Sequence, residues 1–181
     1  MNISIRKSTD TEITQLLQIN RLAFNSEKEP ELVYNLLHDK TAMPFVSLVA
    51  FCDEEMVGHI LFTKCSFEGN PRSLSVYILA PVAIIPSFQK KGIGGMLIKE
   101  GHRILKEMGV DIVVVLGHMD YYPRYGYIPD AKSLGIKSTY SIPDEVKDAW
   151  MVHELKPMSL KSVKGRVVCA NALNKEEYWR E

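Results

Sequence analysis

Residues Leu79 to Gly101 read LAPVAIIPSFQKKGIGGMLIKEG, and this stretch decides the fold. It begins as an extended apolar run. It ends as a helix with Ile93, Leu97, Gly101, Ile104, Leu105 and Met108 on one side and Lys99, His102, Arg103 and Lys106 on the other. Between them lies QKKGIGG, Gln89 to Gly95. A strand, a glycine turn and a helix start make a ready site for a diphosphate. Glycines let the backbone come close to a ligand, and the first turn of a helix offers unpaired N–H groups with a partial positive charge. Lys90 and Lys91 add two full charges beside Gly92, Ile93, Gly94 and Gly95.

Two well-known glycine motifs do not fit. A P-loop requires Lys-Ser/Thr after its last glycine, and Gly95 is followed by Met96. A dinucleotide fingerprint requires a third glycine where Leu97 stands, and an acidic residue at the far end of the next strand, whereas Asp111 lies at its start. Glycines that merely allow tight helix–strand packing would explain the same residues, but not the lysine pair or Pro81. A proline inside a strand cannot donate to a ladder, so it forces an edge or a bulge there. The backbone from Val82 to Ile84 then lacks partners on one side, and an extended ligand carrying amides can pair with it. An amide-bearing arm joined to a diphosphate describes coenzyme A.

Working outward, Gly109 closes the helix, and Ile112 to Leu116 reads as a central strand covered on both faces. Upstream, Ile3 to Arg6 is a short strand and Thr9 or Asp10 an N-cap for a helix carrying Ile13, Leu16, Leu17, Asn20 and Phe24. A break at Asn25–Ser26 and a first-turn Pro30 introduce a second helix. Phe45–Phe51 and Val57–Phe62 form a hairpin about Asp53–Glu55, and a further turn is expected from Glu68 to Ser73. Beyond the tyrosine-rich DYYPRYGYIPD, the segments Ala149–Leu155 and Arg166–Ala170 are further strand candidates. The order is that of a mixed α/β domain.

A chain of 181 residues is long enough for one substantial core. Lys plus Arg equals Asp plus Glu at 22 each, so no overall charge points to nucleic acid or an anionic membrane. Cys52, Cys65 and Cys169 form no CxxC pair and are expected as free thiols in a cytoplasmic setting. The N-terminus has no signal-peptide pattern, and no run reaches the roughly 18 apolar residues of a membrane span. Five scattered histidines give no metal-ligand spacing, so no metal is expected. No GxSxG or Cys–His signature supports a hydrolase.

The Leu79–Gly101 segment resembles the GNAT superfamily of N-acetyltransferases, in which a strand is followed by Gln/Arg-x-x-Gly-x-Gly/Ala. VVVLGHMDYYPRYGY, Val113 to Tyr127, and AWMVHELKP, Ala149 to Pro157, are similar to its YhbS-type bacterial branch. Met119 departs from that branch's proline, and Tyr125 and Tyr127 from its phenylalanines. The resemblance implies an α/β (α+β) fold with a mixed, mostly antiparallel central sheet, two splayed parallel strands and flanking helices. It implies an N-acetyltransferase domain over residues 1–157, with 158–181 as a C-terminal extension packed on it. Acetyl-CoA would be the co-substrate. Val82 and Ile84 would meet its pantetheine arm through their backbones, and Gln89, Lys90, Lys91, Gly92, Ile93, Gly94 and Gly95 would surround the diphosphate.

By the same resemblance, acetyl passes directly from the thioester to a primary amine of a small molecule or protein, and Tyr122 is the candidate general acid. A tyrosine of pKa about 10 protonating a thiolate of pKa about 8.5 works uphill by about 2 kcal/mol, which a modest depression of the tyrosine would remove. The amine is the larger problem, since freeing a lysine ε-amine at pH 7 costs about 4.6 kcal/mol and an α-amine only about 1 kcal/mol. No Asp or Glu lies between Leu74 and Ile85, where many relatives place a glutamate. That gap leaves a second reading open: a non-catalytic acyl-CoA-binding sensor or scaffold. His59 and His118 are candidate bases, though a hydrogen-bonded core role suits His59 as well. Tyr121 and Tyr125 are packing or pocket residues. The acceptor pocket is expected from the early helices and the late tail, in a monomer or homodimer.

Overall fold

The computed structural model describes residues 1–70 and 74–180. Among the described residues, eight strands and three α-helices follow one another as β1 (Ile3–Lys7), α1 (Ile13–Phe24), α2 (Lys28–Leu37), β2 (Val46–Cys52), β3 (Glu55–Asn70), β4 (Val76–Ile84), α3 (Ile93–Glu107), β5 (Ile112–Leu116), β6 (Ile136–Lys137), β7 (Trp150–Glu154) and β8 (Lys164–Val168). The main sheet runs β1-β2-β3-β4-β5-β7. Every neighbouring pair in it is antiparallel except β4 and β5. The fold is the mixed, mostly antiparallel sheet with flanking helices that the sequence implied.

Local chemistry sets the helix limits. The Thr9 N–H donates to Glu12 Oε2 at 2.8 Å, giving the reciprocal cap of the turn that leads into α1. Asn25 ends α1 in the left-handed region at φ 51°, where the sequence marked a break. Gly109, at φ 81°, follows the end of α3.

Strand alternation sends side chains to two cores. Val113 and Val115 of β5 face α3, packing with Phe62, Leu97, Ile98 and Leu105. Ile112 and Val114 face the opposite core with Leu32 and Leu36 of α2, Trp150, Leu173 and Trp179. Gly101 lies against the Phe62 ring so closely that a Cβ would strike it. Gly101→Ala is therefore expected to lower stability by about 1–3 kcal/mol, read as a drop in the urea midpoint.

Three expectations are corrected. The second hairpin strand does not stop at Phe62. It runs on to Asn70, and its far half pairs with β8 from Ser66↔Val168 to Asn70↔Lys164. Only that distant partner makes Ser66–Asn70 a strand, so local periodicity could not reveal it. The turn expected at Glu68–Ser73 thus begins inside β3, and residues 71–73 lie outside the described residues. The last strand sits two residues earlier than Arg166–Ala170. The short β6, which pairs parallel with β8, has no signature at all. The tail reaches back into the fold: Trp179 Nε1 donates to the Leu173 carbonyl at 3.0 Å, and its ring lies 5.6 Å from that of Trp150.

Candidate active site: a cleft between two parallel strands

β4 and β5 pair only over Val76↔Ile112, Tyr77↔Val113 and Ile78↔Val114. β4 continues for six residues past Ile78, and β5 for two past Val114. Past that point the strands part. The cause is local to Ala80 and Pro81. β4 steps from Leu79 to Val82 while β3 steps only from Phe62 to Ile60, so β4 holds one extra residue. This is the bulge expected from Pro81. A cavity of about 1100 Å³ fills the gap, walled by Ile78 to Val82 and Ile84 on one strand and Leu116, Gly117 and His118 at the end of the other.

The bulge also sets which backbone groups face that cavity. The Ile85 N–H donates to the Val57 carbonyl at 3.0 Å. Hydrogen-bonded pairs alternate along an antiparallel ladder, so Ala83 opposite His59 also faces β3. Val82 and Ile84 therefore turn their main-chain groups away from β3, toward the opening. Gln89 Nε2 donates to the Ile84 carbonyl at 2.9 Å, tying the glycine turn to the end of the strand.

At the start of α3, Gly92 takes φ 82° with nothing within 4 Å of where a Cβ would be. Its carbonyl accepts from Met96 N–H at 3.1 Å. Among the described residues, the main-chain N–H groups of residues 90–95 make no hydrogen bond, and no side chain caps the helix. Lys90, Gly92, Ile93, Gly94 and Gly95 all line the cavity. These donors fit an anionic ligand, and the adjoining strand edge fits amides. Lys91 is a correction in part: its ammonium lies 4.9 Å over the Phe88 ring and is not in the cavity wall.

The tyrosine segment forms the third wall. Tyr122, Tyr121, Tyr125 and His118 all line the cavity. The Tyr121 ring meets those of Tyr122 and Tyr125 edge-on at 5.1 and 5.3 Å. A Cβ on Gly94 would strike the Tyr121 hydroxyl, and one on Gly95 the Tyr125 hydroxyl. The glycines therefore serve the turn and also admit these two rings beside the helix start. Tyr122 is 8% exposed, and its hydroxyl makes no hydrogen bond among the described residues. Burial, followed by the charge of neighbouring Tyr121, pushes its pKa well above the ordinary tyrosine range. The shift is opposite to the depression that would ease proton transfer, because three walls of protein remove the water that would stabilise a phenolate.

His59 is the clearest relocation. It is 0% exposed and absent from the cavity wall. Its Nδ1 lies 3.1 Å from Asn20 Nδ2 and its Nε2 lies 2.9 Å from Ser47 Oγ. Asn20 Nδ2 also donates to the Leu16 carbonyl, so Nδ1 accepts and Nε2 carries the proton. Burial lowers its pKa to about 3. Nδ1 ties α1 to the sheet and Nε2 ties β3 to β2, so both nitrogens are engaged and His59 cannot serve as the base.

An Acetyltransferase (GNAT) domain model matches residues 4–129 of the chain. The chain belongs to the GNAT acetyltransferase family. Among relatives of this N-acetyltransferase, the uncharacterized N-acetyltransferase YjhQ of Escherichia coli K12 is 42% identical over 163 residues, covering 89% of this chain and 88% of the relative. YhbS of the same organism is 32% identical over 108 residues, 59% of this chain and 62% of the relative. The crystal structure of E. coli YhbS in complex with CoA superposes with TM-score 0.84 at 26% identity, over 97% of this chain and 93% of that one. A GNAT family acetyltransferase from Brucella melitensis in complex with acetyl-CoA gives TM-score 0.74 at 28% identity, over 95% and 98%.

Several cavity residues of this acetyltransferase escaped sequence reading. Arg124 lies within the tyrosine segment, and Phe24, Glu29 and Leu32 come from α1 and α2. Leu173, Tyr178 and Trp179 come from the tail, where two adjacent aromatics in NKEEYWRE were the available signal. Among the described residues no cluster could hold a metal, and no helix is long and apolar enough to cross a membrane.

Proposed function

We propose that this chain moves the acetyl group of acetyl-CoA directly to a primary amine of a small molecule or protein. The observation that carries the reading is the run of unpartnered N–H groups at residues 90–95, opening onto a cavity that separates two parallel strands. In this reading Ile93, Gly94 and Gly95 hold the diphosphate through their N–H groups, with Lys90 and Arg124 as the nearby cations of the wall. Val82 and Ile84 pair with the amides of the pantetheine arm, which aligns the thioester in the splay. The Val82 N–H polarises its carbonyl. The bound co-substrate supplies the activated acyl group. The chain supplies position, which is worth at most about 7–11 kcal/mol when two reactants are held in line.

The leaving sulfur needs a partner. Tyr122 keeps its proton throughout the physiological range, because burial holds its pKa up. Full proton transfer to a thiolate is then more uphill than the about 2 kcal/mol of a free tyrosine. Tyr122 acts instead as a hydrogen-bond donor to sulfur as negative charge builds. Tyr122→Phe should lower kcat by about 10- to 100-fold while acetyl-CoA affinity stays within about threefold. Unchanged turnover would remove Tyr122 from the mechanism. A cytoplasmic setting belongs to the same reading, since all three cysteines are free.

The functional test is a screen of primary amines for release of free CoA thiol. Release with at least one of them supports transfer. Tight acetyl-CoA binding with no release from any amine would favour the sensor reading, which draws on the absence of Asp and Glu from β4.

A further inference from the structure

The cavity extends past the strand splay to a further wall made of the end of α1, α2 and the C-terminal tail. Its residues include Phe24, Glu29, Leu32, Tyr178 and Trp179. Glu29 stands in the first turn of α2. Its Oε2 is buried from solvent and has no hydrogen-bond partner, and the carboxylate makes no ion pair among the described residues. An acidic residue in a helical first turn gains from the helix dipole, which accounts for its presence there. That gain does not supply a hydrogen-bond partner for the shielded oxygen. The nearest cationic side chain in sequence does not relieve it. Lys28 donates from Nζ to the Glu177 carbonyl at 3.0 Å and lies 5.4 Å over the Tyr178 ring, so it is committed to the tail. Glu29 also lies close enough to Tyr178 to help raise that hydroxyl's pKa, after burial and the charges of Glu177 and Glu31. A half-buried carboxylate with one shielded, unpartnered oxygen, in a cavity wall that also holds Phe24, Tyr178 and Trp179, is suited to a cation that arrives from outside.

We propose that Glu29 binds a positively charged group of the acceptor other than the amine that is acetylated, so that the acceptor is a compact molecule with at least two cationic nitrogens. The inference rests on the acetyl-transfer reading above. The two groups stand on different elements. Glu29 is on α2, which packs on α1 and on the turn Asn171–Leu173, whereas the thioester would lie along Val82 of β4. Chemistry separates them as well. A carboxylate paired with the reacting ammonium would stabilise its protonated form and so oppose attack on the thioester. Paired with a second ammonium, Glu29 holds the acceptor while its other nitrogen reaches across the cavity.

The test uses two amines of equal length, 1,5-diaminopentane and pentylamine, titrated calorimetrically into the full chain saturated with CoA. The diamine should bind about tenfold or more tightly than the monoamine, as expected for one charge-assisted contact. In Glu29→Gln, which keeps the side chain's shape, that preference should disappear. CoA titration of the same variant shows whether it is folded, and Glu29→Asp should keep part of the preference. Absence of diamine binding, equal binding of both amines, or a preference that survives in Glu29→Gln would each overturn the assignment. Failure of the wild-type chain to bind CoA would instead overturn the reading on which it rests.

Discussion

Gly94→Leu is expected to weaken acetyl-CoA binding by about 100-fold or more. The position lies inside α3, so the backbone itself tolerates a side chain. The space does not: even a Cβ would strike the Tyr121 hydroxyl. Tyr121 lines the same cavity and can yield only by moving into it or pulling away from Tyr125. Either movement disturbs the wall beside the free N–H groups of residues 93–95. Losing one or two charge-assisted hydrogen bonds, each about 1.5–3 kcal/mol, gives a loss of that size. The geometry also predicts a rescue. Gly94→Ala alone should bind more weakly, and adding Tyr121→Phe should restore affinity, because the remaining ring carbon is 3.6 Å from the new Cβ. Calorimetry decides this. Unchanged affinity in Gly94→Leu, or no rescue in the double variant, would contradict the assigned packing.

The second large effect is acid destabilisation. Burial lowers the pKa values of His59 and His102 to about 3, with the charge of His153 adding to the effect at His102. His59 Nδ1 already accepts from Asn20, so a second proton there has no acceptor, and the His102 ring stacks on His153 at 4.5 Å, where a positive charge is disfavoured. The folded values are below the ordinary 6.5, so between these limits the unfolded chain binds more protons. Stability is full above pH 6.5 and falls as pH drops toward 3, by about 1.4 kcal/mol per pH unit for each histidine. Urea midpoints at pH 7 and pH 5 should differ accordingly. His59→Gln should reduce the pH slope by about one histidine's share, with His102→Gln as an independent check. Equal slopes in the wild type and both variants would contradict the account.

The candidate anion site was legible because its parts are local. Strand, glycine turn, lysines and helix start are contiguous, and Pro81 announced the bulge that opens the sheet. What stayed hidden depends on partners distant in sequence. The sequence left His59 open between a base and a hydrogen-bonded core histidine, and the partners that decide for the core, Asn20 and Ser47, are 39 and 12 residues away. Lys91 was assigned by adjacency, yet the preceding turn hands its ammonium to Phe88. Tyr122, the candidate general acid, lines the cavity, but the sign of its pKa shift is a property of burial that no motif encodes. Glu29, Tyr178 and Trp179 meet only because the tail folds back over α2, and no short-range pattern joins residues about 150 apart.

The central claim is that the amides at the start of α3 and along β4 hold the two ends of acetyl-CoA. Amide NMR of the labelled chain during titration with acetyl-CoA tests it directly. The largest, saturable shifts should fall on Gly92, Ile93, Gly94, Gly95, Val82 and Ile84. Saturable binding that leaves those six amides unmoved, while others shift, would contradict it.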